Sequence, residues 1–358
     1  MKKLYTVKVG TTSLTGPGGD IDREKIRGLV RQLIALKDAG ASVVLVTSGA
    51  IAAGFRALGY SARPADLAAK QASAAVGQGL LMEEYARFFA EGGYVTGQLL
   101  LTAEDFSDHR RYKNMFAAAE TLLSRGAIPI INENDTVSID EIKVGDNDTL
   151  AARVAAMLHA DLLILLTDVA GLYDKDPSAN PDARLIPAVD RIEDLPEEAA
   201  GGSDSSVGTG GMATKIRGAK LATRAGVPVF ICSSREPDAV IRAVSGDAPG
   251  TLFRADSKLR TRTQWLAFYA PAAGVLVIDD GAAAAITAGT GSLLLAGVRS
   301  VSGDFSKGDA VEIENEKGKR VGRGLAYSDS ETMKKAARAK KNSGVAVHRD
   351  DLFITEGQ

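Results

Sequence analysis

Short β-branched runs alternate with longer stretches of helical periodicity through the first two-thirds of this 358-residue chain. That alternation limits the fold more than any other feature. Leu4–Val9 reads as a first strand. A glycine-containing turn follows, then a helix with Ile26, Leu29, Val30, Leu33 and Ile34 at helical spacing, stopped near Gly40. Ser42–Val46 is the next strand, and Val43, Val44 and Val46 suit burial on both faces. Val95–Leu101, Ile128–Ile131, Leu162–Leu166 and Val227–Ile231 read the same way, with helical sequence between them. Few tight-hairpin signals interrupt the series. The expectation is an α/β fold, a mostly parallel, doubly wound sheet with helices on both faces.

Around Thr251–Ala272 the pattern changes, through a transitional stretch that holds Trp265 and Pro271. Beyond it Val275–Ile278, Val298–Val301, Ala310–Glu314 and Val321–Ala326 read as short strands. Gly303-Asp304, Gly308-Asp309 and Lys317-Gly318 punctuate them as turns. The expected organisation is a domain over residues 1–255, a linker over 256–272 and a small β-rich domain over 273–351. Ala199–Gly211, rich in Gly and Ser, is the longest stretch of flexible composition.

Composition removes several function classes. An apolar fraction of 45% with 25% charged residues is that of an ordinary soluble globular protein. A net charge of -2 exerts no global pull toward nucleic acid or anionic membrane. No apolar run approaches the roughly 20 residues of a membrane span, and Leu4–Val9 is too short for a signal-peptide core. The single cysteine, Cys232, excludes an intramolecular disulfide and a cysteine-rich zinc site, and fits a buried strand residue in a reducing cytoplasm. His109, His159 and His348 are scattered without metal spacing. The run Lys334, Lys335, Arg338, Lys340 and Lys341 reads as a solvated helix face.

Ligands of open parallel sheets bind beyond the carboxyl ends of the strands. Four strands here end in polar, glycine-containing sequence: Lys8-Val9-Gly10-Thr11-Thr12-Ser13, Thr47-Ser48-Gly49-Ala50, Asn132-Glu133-Asn134-Asp135-Thr136 and Thr167-Asp168-Val169-Ala170-Gly171. One such end is a turn; four at one edge are a site. Lys8 alone would be a lysine snorkelling from its strand, but Gly10 and three hydroxyls follow it, offering N–H groups and a cation to phosphate. No Walker A sequence is present. Gly208-Thr209-Gly210-Gly211-Met212-Ala213-Thr214-Lys215 is a second glycine-rich segment, opening a helix near Met212. Glycines with a lysine at a helix start fit a lid over triphosphate better than a linker. Asn132, Asn134 and Asp135 join Asp146, Asn147 and Asp148 in an acidic, amide-rich span. Asp148 has the position of a helix cap, but the cluster exceeds what a cap needs. Holding an ammonium group, coordinating Mg²⁺ through water and orienting catalytic lysines are all open to these groups.

The chain resembles the glutamate 5-kinase family, amino acid kinases with a C-terminal PUA domain, nearly end to end. The resemblance rests on Val46–Ile51, Ile131–Asp135, Ile142–Asp148, Gly208–Lys215 and Val345–Asp351. Its N-terminal loop shows Thr11-Thr12-Ser13, where members vary. The resemblance implies an amino acid kinase fold followed by a PUA domain, and ATP-dependent phosphorylation of the γ-carboxylate of L-glutamate with Mg²⁺. It implies ATP contacts at Lys8, Gly10, Thr167, Asp168 and the segment Thr209, Gly210, Gly211, Met212, Ala213, Thr214, Lys215. It implies glutamate contacts at Ser48, Gly49, Asn134, Asp135, Asp146 and Asn147, with Asp148 positioning the lysines. No residue is assigned as a direct metal ligand. Proline as feedback inhibitor and a homo-oligomer, dimer or tetramer, are further implications. Two rivals stand beside this reading. One is a sister kinase acting on aspartate, N-acetylglutamate, carbamate or UMP; the other is an RNA-binding protein acting through the PUA domain. The second domain, with twelve Lys/Arg and twelve Asp/Glu from residue 273 onward and few aromatics, is charge-balanced, which ranks RNA binding low as the main activity.

Overall fold

The computed structural model describes residues 2–138, 147–192, 195, 211–255, 266, 270–289, 291–339 and 344–354. Two units are distinguished, Met1–Asp105 with Arg111–Lys258, and Phe106–Arg110 with Leu259–Gln358. From the N-terminus the elements run β1 (Leu4–Val9), α1 (Thr11–Leu14), α2 (Arg23–Asp38), β2 (Ser42–Val46), α3 (Ala50–Gly54), α4 (Leu67–Glu91) and β3 (Thr96–Leu101). They continue with α5 (Ala103–Ser107), α6 (His109–Ser124), β4 (Ile128–Glu133), α7 (Asn147–Met157), β5 (Leu162–Thr167) and β6 (Ala188–Val189). Then come α8 (Met212–Arg224), β7 (Val229–Ser233), α9 (Ala239–Ser245) and β8 (Gly250–Phe253).

These eight strands form one sheet in the order β3-β4-β2-β1-β5-β7-β8-β6. Its pairs are parallel except β7 with β8, so the sheet is mostly parallel as the alternation predicts. β1 lies inside it, with Lys8 opposite Val46 of β2 and Leu165 of β5. The chain adds β2 on one side of β1 and β5 on the other, which makes the end of β1 a switch point. Strand side chains alternate between faces. Val7, Val9, Val43, Leu45 and Ile164 therefore pack with Ile26, Val30 and Leu33 of α2 and Leu81, Tyr85 and Phe89 of α4. Lys8, Val44 and Val46 take the other face, on the side of α7. That helix is buried at every residue except Thr149 and Arg153.

α3 and α4 cross at two glycines. A Cβ on Gly77 would lie 1.8 Å from the Ala50 carbonyl oxygen, and one on Gly54 would lie 2.0 Å from that of Ser73. Only glycine permits this approach, and it fixes α4 behind the segment that follows β2.

The second unit contains β9 (Gly274–Ile278), α10 (Asp280–Thr287), β10 (Leu293–Leu294), β11 (Val298–Gly303), β12 (Ala310–Asn315), β13 (Arg320–Ala326), α11 (Ser330–Arg338) and β14 (Val345–Ile354). Its six strands run in the order β10-β14-β13-β12-β9-β11 over a core of Leu276, Ile278, Phe305, Val311, Ile313 and Val347. β14 has no clear signature in the sequence, because the polar run His348–Asp351, exposed at Arg349 and Asp350, interrupts its apolar alternation. Lys334 of α11 donates to the Gly303 carbonyl and Lys335 pairs with Glu331, while Met333 and Ala336 face inward. Lys340, Lys341, Trp265 and the stretch 199–210 lie outside the described residues.

Candidate active site

A crossover helix between parallel strands runs antiparallel to them, so its N-terminus arrives at their carboxyl edge. α7 leads into β5 and α8 into β7. Their first turns carry Asn147-Asp148 and Thr214-Lys215 to the edge where β1 ends with Lys8-Val9. Three distant parts of the chain meet there. Lys8 Nζ lies 2.6 Å from Asp148 Oδ1, and Lys215 Nζ lies 3.2 Å from Asp148 Oδ2. Thr214 Oγ1 donates to the same Oδ2 at 2.9 Å. The side chains are 7%, 8% and 3% exposed for Lys8, Lys215 and Asp148. Asp148 is thus an anion held between two ammonium groups, and the cap suggested by its position is not its role. Burial by itself would raise its pKa. The charges of Lys8 and Lys215, with hydrogen bonds from Lys8 and Thr214, outweigh burial and hold the carboxyl below its ordinary range.

Beside this centre a cleft is lined by Ser48, Gly49, Asp135 and Asn147, all expected acceptor residues, and also by Thr11, Arg63, Asn132 and Glu133. Asn147 Nδ2 donates to the Thr47 carbonyl at 2.8 Å, to Ser48 Oγ at 2.8 Å and to Asn132 Oδ1 at 3.1 Å. Asn134 follows β4, where its Oδ1 accepts from the Thr136 hydroxyl at 2.6 Å, and it is not among the residues lining this cleft. Asp146 lies outside the described residues.

Of the expected nucleotide residues, Gly10 caps α1 beside Lys8, and a Cβ there would sit 3.6 Å from Lys8 Nζ. Thr167 ends β5 and donates to Asp168 Oδ1 at 3.1 Å. Asp168 lines a second cavity with Thr12, Ser13, Lys25 and Arg235. Gly211 precedes α8 and Met212, Ala213, Thr214 and Lys215 form its first turn; Thr209 and Gly210 lie outside the described residues. Cys232 is buried in β7, where desolvation and then Glu236 push its thiol up to about 12, far from a nucleophile's range.

Sequence reasoning missed Arg63, the one lysine or arginine lining the acceptor cleft among the described residues. It also missed Gln78 and Tyr85 of α4, which bond to Asn132 and Thr47 from behind the cleft. A polar residue inside the apolar run Ala74-Ala75-Val76-Gly77-Gln78 was the only local sign.

An open parallel sheet with paired ammonium groups at its ligand edge is the architecture of a phosphotransferase. The amino acid kinase family model matches residues 3–233, and the PUA domain model matches residues 274–348. The chain is 51% identical over 351 residues to a glutamate 5-kinase of Streptococcus sanguinis, covering 98% of this chain and 95% of that protein. To a glutamate 5-kinase of Neisseria meningitidis serogroup A it is 50% identical with the same coverage. Among solved structures, a carbamate kinase from Giardia lamblia bound to AMP-PNP superposes with a TM-score of 0.52 at 18% identity, over 71% of this chain and 99% of that one. That similarity shows the fold. The chain belongs to the amino acid kinase family and, within it, to the glutamate 5-kinases.

Proposed function

We propose that this chain transfers the γ-phosphoryl group of ATP to the γ-carboxylate of L-glutamate, giving L-glutamyl 5-phosphate and ADP, the first step of proline biosynthesis. The observation that carries it is the Lys8–Asp148–Lys215 centre beside a cleft of mixed charge, in a chain half identical to glutamate 5-kinases. A glutamate side chain has a pKa near 4.3, so the nucleophile is ionised at neutral pH and needs no base. The obstacle is repulsion: two like charges 4 Å apart cost about 4 kcal/mol at near-surface screening. Lys8 and Lys215 offset it and stabilise charge on the transferring group. Asp148 holds both ammonium groups in place. Ser48, Gly49, Asp135 and Asn147 orient the acceptor, so that a carboxylate oxygen lies in line with the γ-phosphorus. Thr167, Asp168, Gly10 and the first turn of α8, with Thr209 and Gly210 before it, take the nucleotide. Mg²⁺ supplies further charge neutralisation.

The acceptor is tested by incubating the protein with Mg-ATP and glutamate, aspartate, N-acetylglutamate, carbamate or UMP, and measuring ADP release. Glutamate is expected to give the fastest turnover; a faster rival rejects the assignment. Asp135→Ala is expected to raise the glutamate KM by roughly 10–100-fold, the loss of a charged hydrogen bond to the α-ammonium, with little change in the ATP KM. Equal shifts in both would remove Asp135 from the acceptor pocket.

We further propose a homo-oligomer, dimer or tetramer, working in the cytoplasm and restrained by proline. Exposed Val76 and Leu80 on α4 support a subunit contact. No helix among the described residues is long and apolar enough to cross a membrane. RNA binding by residues 273–351 has one feature in its favour, Lys307 lying 4.8 Å over the exposed Tyr327 ring. The balanced charge of that unit speaks against it.

A further inference from the structure

The acceptor cleft is backed by a chain of buried amides that leads into α4. It starts at a group with no freedom: the Thr47 carbonyl only accepts, so the amide nitrogen of Asn147 must face it. The same nitrogen faces Asn132 Oδ1, which commits Asn132 to present its own nitrogen to α4. There Gln78 Oε1 accepts from it at 2.8 Å. Asn132 is 2% exposed and Gln78 and Asn147 are each 8% exposed, so water does not substitute for a missing partner.

We infer that Gln78 is a positioning residue for the acceptor, setting through Asn132 and Asn147 the direction of the donors and acceptors in the cleft. The consequence falls on Ser48. Its Oγ accepts from Asn147, so its own proton is turned away from Asn147 and is available to a carboxylate oxygen in the cleft. Asn147 Oδ1 is buried and has no hydrogen-bond partner among the described residues, so the amide's orientation is set through its nitrogen. Without an acceptor at position 78, the buried Asn132 N–H₂ lacks a partner. Turning that amide over relieves it, but sets two N–H₂ groups face to face and disturbs Asn147 and Ser48. An amino acid that carries both carboxylate and ammonium groups needs this polarity; ATP, held elsewhere, does not. The inference rests on glutamate being the acceptor.

The test compares Gln78→Met, which keeps the length and removes the acceptor, with Gln78→Glu, which keeps it. Gln78 Nε2 has no hydrogen-bond partner among the described residues, so the exchange to Glu removes no bond there. Gln78→Met is expected to raise the glutamate KM and the calorimetric Kd about tenfold, the effect of one buried polar group left unpaired, with the ATP KM unchanged. Gln78→Glu is expected to restore most of the loss. A lesion that merely unfolded part of the protein would lower kcat and leave both KM values alone. Glutamate affinity within twofold of wild type in Gln78→Met, equal rises in both KM values, or equal damage in the two variants would each overturn the inference. Wild-type protein that bound no glutamate would reject the proposed function, and this inference with it.

Discussion

Lys8→Ala and Lys215→Ala each lower kcat by roughly 10²–10³ at saturating ATP, the loss expected when one preorganised cation is removed from a site of developing charge. The reason lies in their surroundings. Both ammonium groups are almost wholly buried and share one carboxylate, so under the proposed roles they would act on the transferring phosphoryl without first being reorganised. An exposed lysine would contribute far less, because solvent screens it. Single-turnover measurements in both variants check this, and normal turnover in either would remove that lysine from the transfer step.

Asp148→Asn is expected to cost roughly 3–5 kcal/mol of stability at neutral pH, because it takes from two buried ammonium groups the carboxylate they share. It also frees the lysines to move, so activity falls with it. The pH dependence has a definite sign. Asp148 is held below the usual carboxylate range in the folded protein. Its ionised form therefore contributes stability fully above the unfolded pKa of about 4, and that contribution is lost as pH falls through the lower folded pKa. The gap between wild type and variant in urea unfolding should be widest at neutral pH and close in acid. A gap that stayed constant, or widened in acid, would contradict the ion-pair account.

Much of the fold was legible because it is written in local periodicity. β1 and β2 are short, largely apolar runs with valines, and α2 announces itself by apolar spacing and a stop near Gly40. β7 was displaced toward its carboxyl end, starting at Val229 after Pro228, since a proline has no N–H for the ladder. β14 was missed as a strand because polar residues break its pattern, although it pairs antiparallel with the preceding strand, β13. Within the candidate site, Lys8, Ser48, Asn147 and Lys215 were legible from their places at strand ends and helix starts. Asn134 carried the same local signature, and its Oδ1 accepts from the Thr136 hydroxyl within its own turn.

By itself the sequence determined that the chain is an α/β protein, that its ligand edge is polar at four strand ends, and which two lysines stand at that edge. Those are properties of neighbours along the chain. Only the tertiary structure decided that Asp148 lies between Lys8 and Lys215 rather than capping a helix, and that Gln78 reaches Asn132 across 54 positions. A contact between residues so far apart imposes no period and no local preference on either segment. It exists because parallel crossovers return each helix start to the same sheet edge, and because two glycines let α4 press close behind it.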